Sequence, residues 1–99
     1  TLLLFTFAAA ILACAGKSTT TADGTPDGAA IFKKYCSLCH GTDGKLALNG
    51  AKDITVSTLS EAERITLVTK GKTTMTPFEG ILSPEEVKAV VAYTFTLKP

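Results

Sequence analysis

The stretch Cys36-Ser37-Leu38-Cys39-His40 decides how the rest of this 99-residue chain is read. Two thiols three positions apart sit one helical turn from each other. Both can therefore add across the vinyl groups along one edge of a haem while His40 reaches the iron. C-x-x-C-H is the attachment pattern of c-type haem, and the histidine that follows the second cysteine is placed to be the proximal ligand.

Three other uses of the same residues have to be weighed. A thioredoxin-like redox pair wants its cysteines at the start of a helix after a strand, and nothing upstream of Cys36 reads as a strand. A structural zinc site needs a fourth ligand. The chain has three cysteines, the third being the distant Cys14, and a single histidine. A disulfide between Cys36 and Cys39 would be strained within a helix. Haem attachment is the reading that uses all of the pattern.

The inventory for a sixth ligand is short. With His40 the sole histidine, bis-histidine ligation within one chain is excluded, and Met75 is the only methionine. It stands in Gly71-Lys72-Thr73-Thr74-Met75-Thr76-Pro77-Phe78, where glycine permits close backbone approach and proline stiffens the chain just after the sulfur. A lone methionine is often core filler. Here a polar, threonine-rich loop offers it no helical stripe to join, and Met/His is an established pairing on haem iron.

These residues carry a resemblance to the small bacterial class I cytochromes c, running from about Gly28 to the C-terminus. Gly28, Phe32 and Cys36 match a glycine and an aromatic at four-residue steps before the first cysteine. Met75, Pro77 and Phe78 match the family's methionine loop, and Tyr93 matches the aromatic that packs where the last helix crosses the first. The resemblance implies an all-α cytochrome c fold, three main helices plus irregular loops enclosing one covalently attached haem c. It implies electron transfer through an iron held by His40 and Met75.

Two departures stand out. Thr76 separates Met75 from Pro77 where family members commonly place proline directly after the methionine. Gly44-Lys45 stands where they often carry Gly-Pro, whose carbonyl accepts a hydrogen bond from the imidazole, so the sequence assigns no acceptor to His40. Such partners set ring orientation and ligand basicity.

The rest of the chain fits one domain, too small for a secure core without a staple such as a bonded haem. Formal charge is +1, and two ionised propionates would turn it slightly negative. That balance argues against nucleic acid as a partner and predicts no one-sided field for steering a redox protein.

Residues 1–13, TLLLFTFAAAILA, carry no charge and read as the apolar segment of a secretory signal with its start missing. Ile11-Leu12-Ala13-Cys14 resembles a bacterial lipobox. In that reading Cys14 is acylated and anchors the protein to a membrane, with several acyl chains giving a stable hold. Ala13-Cys14-Ala15 also fits a small-residue cleavage site that would release a soluble protein, and a longer N-terminus would make the segment a retained anchor. Lipidation explains why a cysteine ends a signal segment. From residue 14 to 27 the chain is polar and small, and reads as anchor and flexible tether; the cytochrome domain is expected over 28–99.

Within that domain, Ala29, Phe32, Tyr35 or Cys36, and Cys39 recur at helical spacing. Leu46, Leu48, Ile54 and Val56 are available to cover the ring from an irregular loop. Ser60 and Glu63 form a capping-box pattern for a helix to about Lys70, stopped by Gly71, with Ile65 and Val68 facing inward. Ser83-Pro84-Glu85-Glu86 opens another, and Val87, Val90, Val91, Thr94 and Phe95 make its apolar stripe.

The function expected from these features is a one-electron carrier of respiratory electron transport, not an enzyme, because an iron held by both His40 and Met75 has no open position for substrate. It is expected on the periplasmic side of a bacterial membrane, between a quinol-oxidising complex and a terminal oxidase or reductase. Two alternatives remain open. One is a haem sensor in which Met75 is displaced by a ligand; the other is a haem subunit of a larger oxidase or reductase complex.

Overall fold

The computed structural model describes residues 19–99. Among the described residues four helices follow one another: α1 (Gly28–Tyr35), α2 (Ser37–His40), α3 (Glu61–Lys70) and α4 (Pro84–Thr94). Single 3₁₀ turns, Leu48–Gly50 and Ile54–Val56, lie between α2 and α3. Among the described residues no strand forms, only isolated bridges that pin loops. The expected all-α fold, with three main helices, is the one observed.

Both predicted capping boxes are present. The Ser60 hydroxyl accepts from Glu63 N at 3.2 Å and the Glu63 carboxylate accepts from Ser60 N at 2.7 Å. Ser83 and Glu86 repeat the arrangement at 3.2 and 2.9 Å, with Pro84 first in the helix. Each exchange satisfies two amides that a helix start leaves unpaired. A third cap, Asp27 accepting from Ala30 N at 3.2 Å, starts α1.

Ile31 and Phe32 of α1, Val87, Val90 and Val91 of α4, and Phe78 and Leu82 between α3 and α4 form the buried core. Ile65 and Val68 of α3 pack against it half-buried. The crossing of α1 and α4 depends on the bare backbone of Gly28. A Cβ there would stand 2.2 Å from the Ala89 carbonyl oxygen and 3.1 Å from Tyr93 Cβ. The close approach brings the Phe32 and Tyr93 rings to 5.3 Å between centroids, within the range of a favourable aromatic pair.

The structure departs from expectation in four places. Ala29 is exposed and Ile31 is buried, because α4 crosses at Gly28 and turns the neighbouring position outward. The first helix does not run unbroken through Cys39 but is interrupted at Cys36. There the Ser37 hydroxyl bonds the Lys33 carbonyl, a competing contact of the kind that bends helices. Phe95 lies past the end of α4 and half-exposed rather than within an inward stripe. Finally, residues 19–27 fold back on themselves: Asp23 accepts from Thr25 N at 3.2 Å and Thr25 Oγ1 at 2.7 Å, and Asp27 N donates to Thr19 O at 2.7 Å. Local hydrogen bonding, not burial, orders this piece of the expected tether. The apolar segment 1–13 and Cys14 lie outside the described residues.

Candidate haem-binding site

The two cysteines and the histidine are delivered by the break between α1 and α2. His40 N and Cys39 N both point back at Cys36 O, at 3.0 and 3.3 Å, so the whole pentapeptide is one tight turn. Cys36 and Cys39 are unpaired thiols, both half-buried. Cys36 packs against the core cluster, and burial, with Cys39 as its neighbour, pushes its thiol up to about 11. Redox dithiols depend on the opposite shift. Among the described residues no three His, Cys, Asp or Glu side chains converge on a possible ion site.

The structure supplies the acceptor that the sequence withheld. His40 Nδ1 lies 3.1 Å from the carbonyl oxygen of Lys52. A carbonyl can only accept, so the ring proton sits on Nδ1 and the Nε2 lone pair is left free to bind metal. No side chain is involved on the Lys52 side, so no residue type could have signalled it. The loop is shaped by Leu46 N donating to His40 O at 2.9 Å and Ile54 N to Gly44 O at 2.8 Å.

Met75 arrives from a separate loop, half-buried against the same core cluster as Cys36. Met75 N donates to Lys72 O at 2.9 Å and Lys72 N to Met75 O at 3.3 Å. At its entrance Gly71 has φ +69, and a Cβ there would meet Met75 O at 2.5 Å and Pro77 N at 2.7 Å. Only glycine accommodates both the dihedral and the contact. At its exit Phe78 N and Glu79 N donate to Val68 O and Thr69 O at 2.9 and 3.1 Å, consuming carbonyls that the end of α3 leaves unpaired. Phe78 meets Tyr35, just before Cys36, edge-on at 6.0 Å.

The two loops meet where Thr74 Oγ1 donates to Asn49 O at 2.7 Å. Of the four side chains expected over the ring, Leu46, Leu48 and Val56 are exposed at 47%, 45% and 64%, while Ile54 is half-buried against the core. Apolar side chains exposed on the histidine-bearing loop, two cysteine sulfurs on one turn and an imidazole whose Nδ1 is engaged fit a covalently bound haem. Cys36 and Cys39 could hold it through sulfur, and His40 and Met75 could ligate its iron.

Sequence reasoning missed Arg64, buried at 8% exposure between carbonyls of the 57–59 segment and the end of α4. A signal was there: Arg64 precedes Val68 by four positions and so shares its inward face.

Residues 23–93 match the sequence model of the family described as cytochrome c oxidase, cbb3-type, subunit III. A cytochrome c6 of Microcystis aeruginosa is 38% identical over 73 residues, 68% of this chain and 89% of that protein. Among solved structures, the KustC0563 c-type cytochrome is similar with TM-score 0.68 and 30% identity, over 74% of this chain and 99% of that one. Cytochrome c6 from the diatom Phaeodactylum tricornutum is similar with TM-score 0.61 and 32% identity, over 70% of this chain and 87% of that one.

Proposed function

The chain belongs to the c-type cytochrome family, with its covalently bound haem and its role in electron transfer, and from that premise we propose that it is a one-electron carrier whose iron is held by His40 and Met75. The observation that carries this reading is the state of His40. Its Nδ1 lies 3.1 Å from Lys52 O, which engages that nitrogen as a donor and leaves Nε2 as the one that could bind iron.

Each residue then has a task. Cys36 and Cys39 form thioethers that keep the group attached in either oxidation state. His40, sharpened as a donor by its bond to Lys52, favours the ferric state, and the Met75 thioether favours the ferrous state and raises the potential. The haem supplies a one-electron couple. Gly71 and the hydrogen bond from Thr74 to Asn49 keep the Met75 loop from opening, so that no position is offered to a substrate.

The reading extends to the cell. The carrier works in respiratory electron transport outside the cytoplasm, passing electrons from a quinol-oxidising complex to a terminal oxidase or reductase. Residues 1–13 direct export, Cys14 is acylated, and the domain over 28–99 is held at the membrane by the segment 14–27. Intact mass of membrane-extracted protein tests this arm; a mature chain without lipid mass refutes it. The oxidase-subunit description of the matching family model favours one other reading, a haem subunit docked in a larger complex. Co-purification of a partner at fixed stoichiometry would select it.

The deciding experiment on ligation is the ferric absorption spectrum of the matured protein into the near infrared. A sulfur-to-iron charge-transfer band is expected, and in Met75→Ala it disappears, the potential falls and the haem stays bound. Absence of the band in the parent protein refutes the Met75 assignment.

A further inference from the structure

The segment that presents the Lys52 carbonyl to His40 runs through the Ile54–Val56 turn into residues 57–59, and these are gripped by one side chain. Arg64 donates from Nε to Leu59 O at 3.1 Å, from Nη2 to Ser57 O at 3.2 Å and from Nη1 to Thr94 Oγ1 at 2.9 Å. The Phe95 ring lies against its guanidinium carbon at 3.9 Å from the centroid. Among the described residues no carboxylate pairs with it; the ion pair there is Lys70–Glu79, far more exposed.

A buried cation without a counterion is costly, and an aliphatic side chain at position 64 would share the inward face with Val68 at no such cost. What an aliphatic side chain cannot do is bond three acceptors on two separate segments. A rigid guanidinium fork can. It joins α3, the 57–59 segment and the end of α4 at one point. The same stretch of loop is fixed at its other end, where Leu97 reaches within 2.7 Å of the position a Gly44 Cβ would take and Gly44 O receives Ile54 N at 2.8 Å. Lys52 lies in the stretch between Gly44 and the clamped 57–59 segment, just before the Ile54 N that bonds Gly44 O.

We infer that Arg64 is a positioning residue for His40: its guanidinium clamps the 57–59 segment to α4, and so holds Lys52 O in line with Nδ1–H and sets the donor strength of the imidazole. The inference rests on the reading of His40 as an iron ligand. It makes a prediction about sign. Slackening the Lys52 bond weakens the imidazole as a donor and raises the potential, whereas removal of a nearby positive charge lowers it, because the ferric state carries the extra charge. Arg64→Lys keeps the charge and loses the fork; Arg64→Met loses both.

The test uses haem-loaded protein and follows the His40 ring protons by NMR together with the potential. In Arg64→Lys, exchange of the His40 Nδ1 proton with solvent rises by at least about tenfold, the lower end of what one hydrogen bond to a charged group is worth, and the potential rises. The core amides of Ile31 and Val90 stay protected, which separates slackening of the loop from general destabilisation. Thr94→Val, which removes one acceptor only, moves both readouts in the same direction by less, and carries the test if Arg64→Lys fails to mature. Unchanged Nδ1 exchange in a folded variant overturns the clamp, as does a potential that falls only in Arg64→Met, a pure charge effect. Ring protons of His40 without paramagnetic shift in the ferric parent protein overturn the ligand reading instead, and this inference with it.

Discussion

The histidine side and the methionine side of the site are built by opposite means. Met75 is held almost entirely by its own neighbourhood: Gly71 at the entrance, the paired bonds with Lys72, and the return of Phe78 and Glu79 along the end of α3. His40 is adjacent in sequence to the cysteines, yet its orientation depends on Lys52, which depends in turn on contacts made by Arg64, Thr94, Phe95 and Leu97. One proposed ligand is local in its support and remote from the attachment motif. The other is part of the motif and remote in its support. Perturbing the loop 71–79 should therefore act on the methionine alone, while perturbing the far end of α4 should be felt at the histidine.

The largest effect separates attachment from both sides. Cys36→Ala with Cys39→Ala should leave a haem that acid–acetone extracts completely, where the parent protein retains it; retention in the double variant would refute thioether attachment. Gly71→Ala comes next. It forces a side chain into a glycine-only conformation and onto the Met75 carbonyl, at a cost of at least about 1–3 kcal/mol from the dihedral alone. The near-infrared band should vanish at temperatures where helicity is intact, with the His40 ring resonances little moved. A variant keeping both the band and the parent melting temperature would show that the entrance to the loop is not where the methionine is held.

Thr74→Val removes the bond to Asn49 that joins the two loops. A loss of about 1 kcal/mol is expected, seen as a small drop in melting temperature and faster exogenous ligand entry on the methionine side. If the His40 resonances shift as much as the Met75 methyl, the two sides are less independent than their contacts indicate. The smallest effect is on pH. Hydrogen bonds from the backbone and side chain of Ser60 hold the Glu63 carboxyl below its ordinary value of 4.5. A depressed carboxylate contributes stability that is present above its unfolded value and lost as pH falls through the folded one. Between about pH 5 and 3, Glu63→Gln should therefore flatten the decline in melting temperature while keeping the cap, since glutamine also completes a capping box. An equally steep decline in the variant would remove Glu63 from the acid response.

Much of the fold was legible because its signals are local. Ser60 with Glu63 and Ser83 with Pro84 and Glu86 mark helix starts through contacts three residues long, and both boxes are formed. The valines of α4 at helical spacing are buried despite their poor intrinsic propensity, packing having overridden it. The family motif around Gly28 and Tyr93 foretold a crossing whose tightness the Ala89 carbonyl now explains. The failures were contacts that residue spacing alone does not mark. Ala29 against Ile31 turns on the angle at which α4 arrives. The Cys36 break turns on a hydroxyl choosing one carbonyl, and the folded 19–27 segment on the Asp23 carboxylate bonded by Thr21 and Thr25.

By itself the sequence determined the cofactor and two of the helix starts: five contiguous residues name the haem, one methionine is the only thioether the chain offers, and capping boxes spanning four positions open α3 and α4. Tertiary structure alone decided which atom receives the His40 proton and why a charge is buried at Arg64. Both involve backbone carbonyls, which every residue carries alike. Their partners are therefore chosen by where the chain passes in space, and only the folded chain brings Lys52, Ser57, Leu59 and Thr94 to the donors that need them.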